Sequence, residues 1–157
     1  MTRRAHPGRA PTRAGETISY VTVEVADQLF GIPIETVHDV FVLSGLTRIP
    51  LAPPEVAGLV NLRGRVVTAI DLRRRFGLPD SASERKMAVG IEAGAESFGL
   101  VVDGVGEVMT LPREGRDDNP VHFTGRWSAL ASGVHRLKGR LLVVMDVDAV
   151  LDLDRAA

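Results

Sequence analysis

Two stretches of the chain are written in one pattern, and that repeat limits the fold more than any other feature. Gly58 to Leu72 reads GLVNLRGRVVTAIDL, and Gly133 to Val147 reads GVHRLKGRLLVVMDV. Gly58, Leu62, Gly64, Arg65 and Asp71 recur 75 positions later as Gly133, Leu137, Gly139, Arg140 and Asp146. Arg63 becomes Lys138, and the apolar run Val66 to Ile70 becomes Leu141 to Met145. Upstream, Ser19 to Val40 aligns with Met87 to Val108 at an offset of 68. Phe30-Gly31-Ile32 meets Phe98-Gly99-Leu100, while Glu35, Val37, Asp39 and Val40 meet Asp103, Val105, Glu107 and Val108. The chain is therefore two related halves, the second longer by seven residues in its middle. Sequence repeats are structural units that pack on one another, so two small subdomains facing each other across a pseudo-twofold are expected. Phe30 and Phe98 should then occupy equivalent buried positions.

Length and composition bound the rest. A chain of 157 residues fits one domain or two small ones and is long enough to bury a core. A formal net charge of −1 gives no global field favouring nucleic acid or an anionic membrane. The absence of cysteine removes disulfides, thiolate nucleophiles and cysteine metal sites, and suits a reducing cytosol. No run approaches the ~18 consecutive apolar residues of a membrane span, and no secretory signal is expected.

Met1 to Gly15 carries Arg3, Arg4, Arg9 and Arg13 with little to bury, and reads as part of a disordered arginine-rich tail over residues 1–16. Ile18 to Val25 alternates with β-branched residues at period two, the mark of a strand, and Leu29 to Pro33 returns as its partner. Ile34 to His38 reads as one helical turn and Val40 to Leu43 as extended. Thr47 to Pro50 reads as a brief strand, and Pro53-Pro54 as the start of a short helix ended by Gly58. Leu59 to Leu62 and Arg65 to Ile70 make a hairpin with Gly64 in its turn. Leu72 and Phe76 sit four apart, so a short helix presses both inward while Arg73, Arg74 and Arg75 fan to solvent. Pro79 to Glu84 reads as a linker.

The second half repeats the plan, with strands over Met87 to Glu92, Ser97 to Val102 and Val105 to Leu111. Pro112 to Trp127 reads as loop, and Val134 to Leu137 with Arg140 to Met145 as the second hairpin. Asp148 to Leu153 closes as a short helix. Many short strands with few helices argue small β-barrels, which also remove exposed sheet edges.

Chemistry is scarce. His6, His38, His122 and His135 stand at no ligand spacing. No serine lies in a GxSxG setting and no glycine-rich phosphate loop precedes a helix. Asp71 and Asp146 are the tempting carboxylate pair, but both stand just after a strand and before a helix, where N-capping accounts for them. Arg63, Arg65 and Arg73 to Arg75 lack the neighbouring aromatic residues of a nucleic-acid binder. Trp127, the only tryptophan, is either a partner anchor or a core residue. What remains is the dense apolar run Val37, Val40, Phe41, Val42 and Leu43, matched across the repeat by Val105 and Val108. These sets either line a groove between the subdomains or weld them together.

NLRGRVVTAIDLRRRFGL, the upstream FGIPIETVHDV and TRIP, and the downstream FGLVVDGVGEV together resemble the CheW family of chemotaxis coupling proteins, from about Ile18 to about Leu151. The resemblance implies a mainly β fold of two pseudo-symmetric, five-stranded SH3-like barrels, intertwined within residues 17–154, with 155–157 as a C-terminal tail. It implies no enzymatic activity and no cofactor. The implied partners are chemoreceptor cytoplasmic tips and the regulatory domain of a CheA-type histidine kinase, in the cytoplasm at the inner face of the membrane, without membrane insertion or nucleic acid. Matched by position, Arg63, Gly58, Val37 and Asp39 stand where the family engages receptor or kinase, Val105 and Val108 match the facing wall of the receptor groove, and Val40 is a further receptor- or kinase-binding candidate. Asp39 replaces the usual glutamate, and Thr68-Ala69 stands where a proline-valine pair is common. Similar couplers serve pilus-control pathways. The alternative from a different class is a small-ligand or hydrolytic barrel using Asp71 and Asp146.

Overall fold

Alternating valines build the first strand. In the computed structural model, which describes residues 15–80, 86–118 and 125–153, β1 spans Thr17–Val25 and turns through Ala26 and Asp27 into β2, Gln28–Pro33. Both turn residues are left-handed, at φ 51° and 69°, the backbone that lets a two-residue hairpin follow the strands' twist. One 3-10 turn, Ile34–Thr36, leads to β3, Val37–Val42. The next hairpin is β4, Val56–Leu62, with β5, Arg65–Asp71, and α1, Leu72–Arg75, follows directly. The second half runs β6, Met87–Ala93; β7, Glu96–Val102; β8, Gly104–Pro112; and a short β9, Arg116–Asp117. It ends with α2, Gly125–Leu130; β10, Ala131–Leu137; β11, Arg140–Met145; and α3, Val147–Leu151.

The strands sort into two sheets, ordered β8-β1-β2-β11-β10-β9 and β3-β6-β7-β5-β4. Each sheet takes one hairpin from the other half of the chain. Hairpin β1–β2 joins second-half strands through a parallel β2–β11 pairing, and hairpin β6–β7 joins first-half strands through a parallel β5–β7 pairing. The registers agree: Phe30 faces Val143 in one seam and Phe98 faces Thr68 in the other. The architecture is the expected mainly β pair of small pseudo-symmetric barrels with short helices, one of them gaining a sixth strand in β9.

The main core lies between the sheets and draws on both. Val23, Phe30, Ile32 and Val143 from one sheet pack with Ile70, Val89, Ile91 and Leu100 from the other. A smaller cluster of Tyr20, Leu29, Leu142 and Val144 fills the six-stranded side. Rings lock the seam: Phe30 lies 4.7 Å from Phe76 and 5.5 Å from Trp127 between ring centroids, and Phe76 lies 5.3 Å from Trp127. Trp127 is thus a half-buried core-packing residue on α2, where a loop was expected. Phe30 is fully buried, but Phe98 is only half-buried, and among the described residues no ring packs on it as Phe76 and Trp127 do on Phe30.

Four local expectations are corrected. Pro53-Pro54 starts a turn, not a helix, since β4 begins at Val56 before a helical turn can form. Gly58 therefore ends no helix; it sits at a bulge in β4 with φ 150°. Thr47 to Pro50 forms only a single bridge, Thr47 to Leu59. Finally, the arginines of α1 do not all fan to solvent. Arg75 is 1% exposed, because it shares the helix face of Leu72 and Phe76. Residues 1–14 of the expected tail, most of the 79–84 linker and the 155–157 tail fall outside the described residues.

Candidate functional site

The period of a strand divides the apolar run that the sequence presents as one block. Along β3, Val37, Asp39 and Phe41 are half-buried while His38, Val40 and Val42 are exposed. Phe41 fills the five-stranded barrel, with its ring tip against Gly99, where an added Cβ would lie 3.2 Å from it. Val37 and Val105 pack against the shared core, so this part of the set does weld the sheets. Val40 and Val108 turn outward, 41% and 52% exposed. They occupy matching places: Val40 pairs with Val89 of β6 and Val108 pairs with Val21 of β1, each on the edge strand of its own sheet.

Arg63 and Gly64 form the two-residue turn between β4 and β5, both left-handed at φ 53° and 83°. A non-glycine residue in that region is uncommon. Here the Gly64 N–H donates to Asn61 Oδ1 at 3.1 Å, which holds the turn. The Arg63 side chain is exposed and makes no hydrogen bond or ion pair among the described residues. Its repeat partner Lys138 follows Arg136 rather than an asparagine, two residues earlier, and does not adopt the left-handed backbone.

Gly58 is buried, and an added Cβ would collide with the Thr47 carbonyl. Thr47 exchanges both backbone hydrogen bonds with Leu59, at 2.8 and 2.7 Å, so Gly58 is what lets the 43–55 loop lie on β4. Asp39 lies against Gly90, where any side chain would meet its Oδ1. The candidate residues therefore divide: Arg63, Val40 and Val108 are presented to solvent, Val37, Asp39 and Val105 are half-buried, and Gly58 is buried.

The aspartate pair is explained by capping. Asp71 Oδ1 accepts from the N–H groups of Arg73 and Arg74 at 3.0 and 3.4 Å, and Asp146 Oδ1 accepts from Ala149 N–H at 3.2 Å. The two line separate cavities, Asp146 beside Glu35 and Asp71 beside Pro54. No group of His, Cys, Asp and Glu suited to a metal ion occurs among the described residues.

Two arrangements escaped the sequence reading. Arg73 clasps Asp103 with two bonds, Nε to Oδ1 at 3.0 Å and Nη2 to Oδ2 at 2.6 Å, and Ala26 N–H donates to the same carboxylate at 2.7 Å. Arg73's hydrogen bonds hold the Asp103 carboxyl below the usual carboxylate range, against the opposing push of burial. Inside the six-stranded barrel, buried His135 Nε2 lies 3.0 Å from the Tyr20 hydroxyl. Burial, helped by the nearby Arg116 charge, lowers the His135 pKa and keeps the ring neutral. The only sequence signal for this pair was that His135 stands in a strand where the other half has Val60.

The family model for the CheW-like domain matches residues 19–155. The chemotaxis protein CheW of Klebsiella aerogenes is 29% identical over 147 residues, which cover 92% of this chain and 89% of that one. The chemotaxis protein CheW of Bacillus subtilis is 31% identical over 107 residues, 68% of this chain and 69% of that one. The crystal structure of the scaffolding protein TtCheW from Thermoanaerobacter tengcongensis superposes with a TM-score of 0.78 at 26% identity, covering 87% of this chain and 94% of that one.

Proposed function

Because the chain belongs to the CheW-like domain family, we propose that it is a non-catalytic chemotaxis adaptor that couples chemoreceptor cytoplasmic tips to the regulatory domain of a CheA-type histidine kinase. The observation that carries this reading is the pair Val40 and Val108, large apolar side chains exposed at matching positions on the two edge strands. Exposed apolar side chains on a sheet edge invite a partner. An adaptor needs at least two such surfaces, and the duplicated fold supplies them in related copies. Arg63 adds a planar cation at a hairpin tip, without an ion pair among the described residues and suited to clasp a carboxylate or carbonyl of a partner. Both candidate acids being helix caps weighs against the hydrolytic alternative. The adaptor reading itself implies a place in the cytoplasm beside receptor arrays.

The test is direct. Val40→Glu and Val108→Glu each replace an exposed side chain, so both variants should keep the wild-type thermal midpoint. Each should weaken binding to a receptor-tip fragment or to the kinase regulatory domain by about tenfold or more, as loss of an interface anchor does. Wild-type affinity of both variants for both partners would refute the edge-strand assignment.

A further inference from the structure

The two halves differ at one equivalent place between the sheets. In one half, Arg73 of α1 clasps Asp103 at the end of β7 in a two-bond pair. The repeat offsets of 75 and 68 put Asp148 in the place of Arg73 and Glu35 in the place of Asp103. A guanidinium–carboxylate pair closes one seam; at the other the matching residues are both carboxylates, exposed along its rim.

That second seam is open. Glu35 and Asp148 line one cavity of about 580 Å³, which draws on β3 and β6 of one sheet and on β2, β10 and β11 of the other, with α3 beside them. Its floor is apolar, with Val37, Ile91, Met145 and Val147. No lysine or arginine lines it. The other two acids there are already engaged, Glu92 with Arg65 at 2.7 Å and Asp146 as the cap of α3. Glu35 and Asp148 have no ion pair or side-chain hydrogen bond among the described residues.

We propose that this cavity is a socket for an arginine side chain of a partner protein, seated between Glu35 and Asp148 as Arg73 is seated on Asp103. Charge complementarity is one support. The internal copy is an independent one, since a carboxylate at this same position of the fold does hold a guanidinium in the other half. Arginine fits better than lysine. Its planar fork meets a carboxylate with two parallel bonds and it sheds water at lower cost, while its aliphatic stem can lie on the apolar floor. The socket extends the adaptor reading by a third contact surface, distinct from the edge valines and from the Arg63 hairpin.

The experiment needs neither kinase nor receptor, so its failure is separate from failure of the adaptor reading. N-acetyl-arginine amide is titrated into the isotope-labelled full chain and followed by amide chemical shifts, with N-acetyl-citrulline amide as the uncharged isostere. Saturable shifts at Val37, Ala93 and Asp148 are expected with the arginine compound and not with the citrulline compound. They should vanish in the double variant Glu35→Gln, Asp148→Asn. The variant Asp148→Arg rebuilds the pair of the other half. It should abolish the shifts and raise the thermal midpoint by about 2–4 °C. Equal shifts with citrulline, arginine shifts that persist in the double variant, or an Asp148→Arg chain that still binds arginine would overturn the proposal.

Discussion

Arg75 of α1 donates from Nε to the carbonyl of Val150 in α3 at 2.8 Å, reaching from one half of the chain to the last helix of the other. Its Nη2 also donates to the carbonyls of Ala149 and Asp152, both at 2.9 Å. The final carbonyls of a helix have no partners of their own, and a cation is favoured at that end of the dipole. Arg75 therefore caps α3 from inside the protein.

Removing that cap should be costly. Arg75→Met keeps much of the volume but removes the Arg75 donor from the buried Val150 carbonyl and from those of Ala149 and Asp152, and should destabilise the fold by roughly 3 kcal/mol. Arg74→Met, on the exposed side of the same turn, should stay within about 0.5 kcal/mol. Urea unfolding of the two variants side by side checks this; equal midpoints would show that the Arg75 bonds contribute little.

Arg63 should behave in the opposite way. Arg63→Ala should lose roughly 2 kcal/mol or more of affinity for a receptor tip or kinase regulatory domain, with stability unchanged within about 0.5 kcal/mol. Lys138→Ala, at the matching hairpin, should weaken binding much less. Calorimetric titration of both variants against both partners decides the matter, and a collapse of the thermal midpoint in Arg63→Ala would rule out a purely binding role.

Gly58 is a case where structure and binding must be separated. Its φ of 150° lies in the region that side chains avoid, and a Cβ there would strike the Thr47 carbonyl. Gly58→Val should cost roughly 2 kcal/mol or more and release the 43–55 loop. Faster hydrogen exchange at Thr47 and Leu59, the two amides of that bridge, is the expected signature. Unchanged exchange with lost partner binding would instead make Gly58 a direct contact.

His135 predicts a pH dependence whose sign follows from its burial. Its pKa is lowered in the folded chain from the ordinary value of 6.5. The unfolded chain thus takes up a proton first as pH falls. The stability that the neutral ring contributes is fully present above about 6.5 and is lost as pH drops towards and through the folded value. The groups that bear on it are Tyr20, Arg116 and Asp118. Thermal midpoints measured from neutral to mildly acidic pH should fall more steeply for the wild type than for His135→Gln. Parallel curves would show that His135 does not control this slope.

The strands were legible because period two and β-branched residues are local signals, and the repeat extended each reading to its copy. The parallel seams were not expected, but their registers, Phe30 with Val143 and Phe98 with Thr68, are related by the same two repeat offsets. What stayed hidden depends on distant partners. Arg75 looked like part of a solvated run, yet it stands three after Leu72 and one before Phe76, on the face that had to be buried. That spacing was the available signal. Its partners are backbone carbonyls, which leave no trace in a sequence. The division of Val37 from Val40 was readable in principle from alternation. Arg73 with Asp103 was not, because neither position pairs charges in the other half.

The exchange of hairpins between the halves sets an order on how the molecule comes into being. During synthesis, β1 and β2 emerge first, but their neighbours β8 and β11 belong to the second half, and β11 is the last strand made. The opening hairpin must wait for β8 to cover its β1 flank, and for almost the whole chain before β11 covers Phe30 and its β2 flank. Such distant pairings close slowly, since the chain entropy is lost before the contacts form. A truncated product lacking β11 would leave the first hairpin without its seam. The duplicated sequence thus does not yield two modules that mature one after the other. It yields a single folding event, completed only when the final strand arrives.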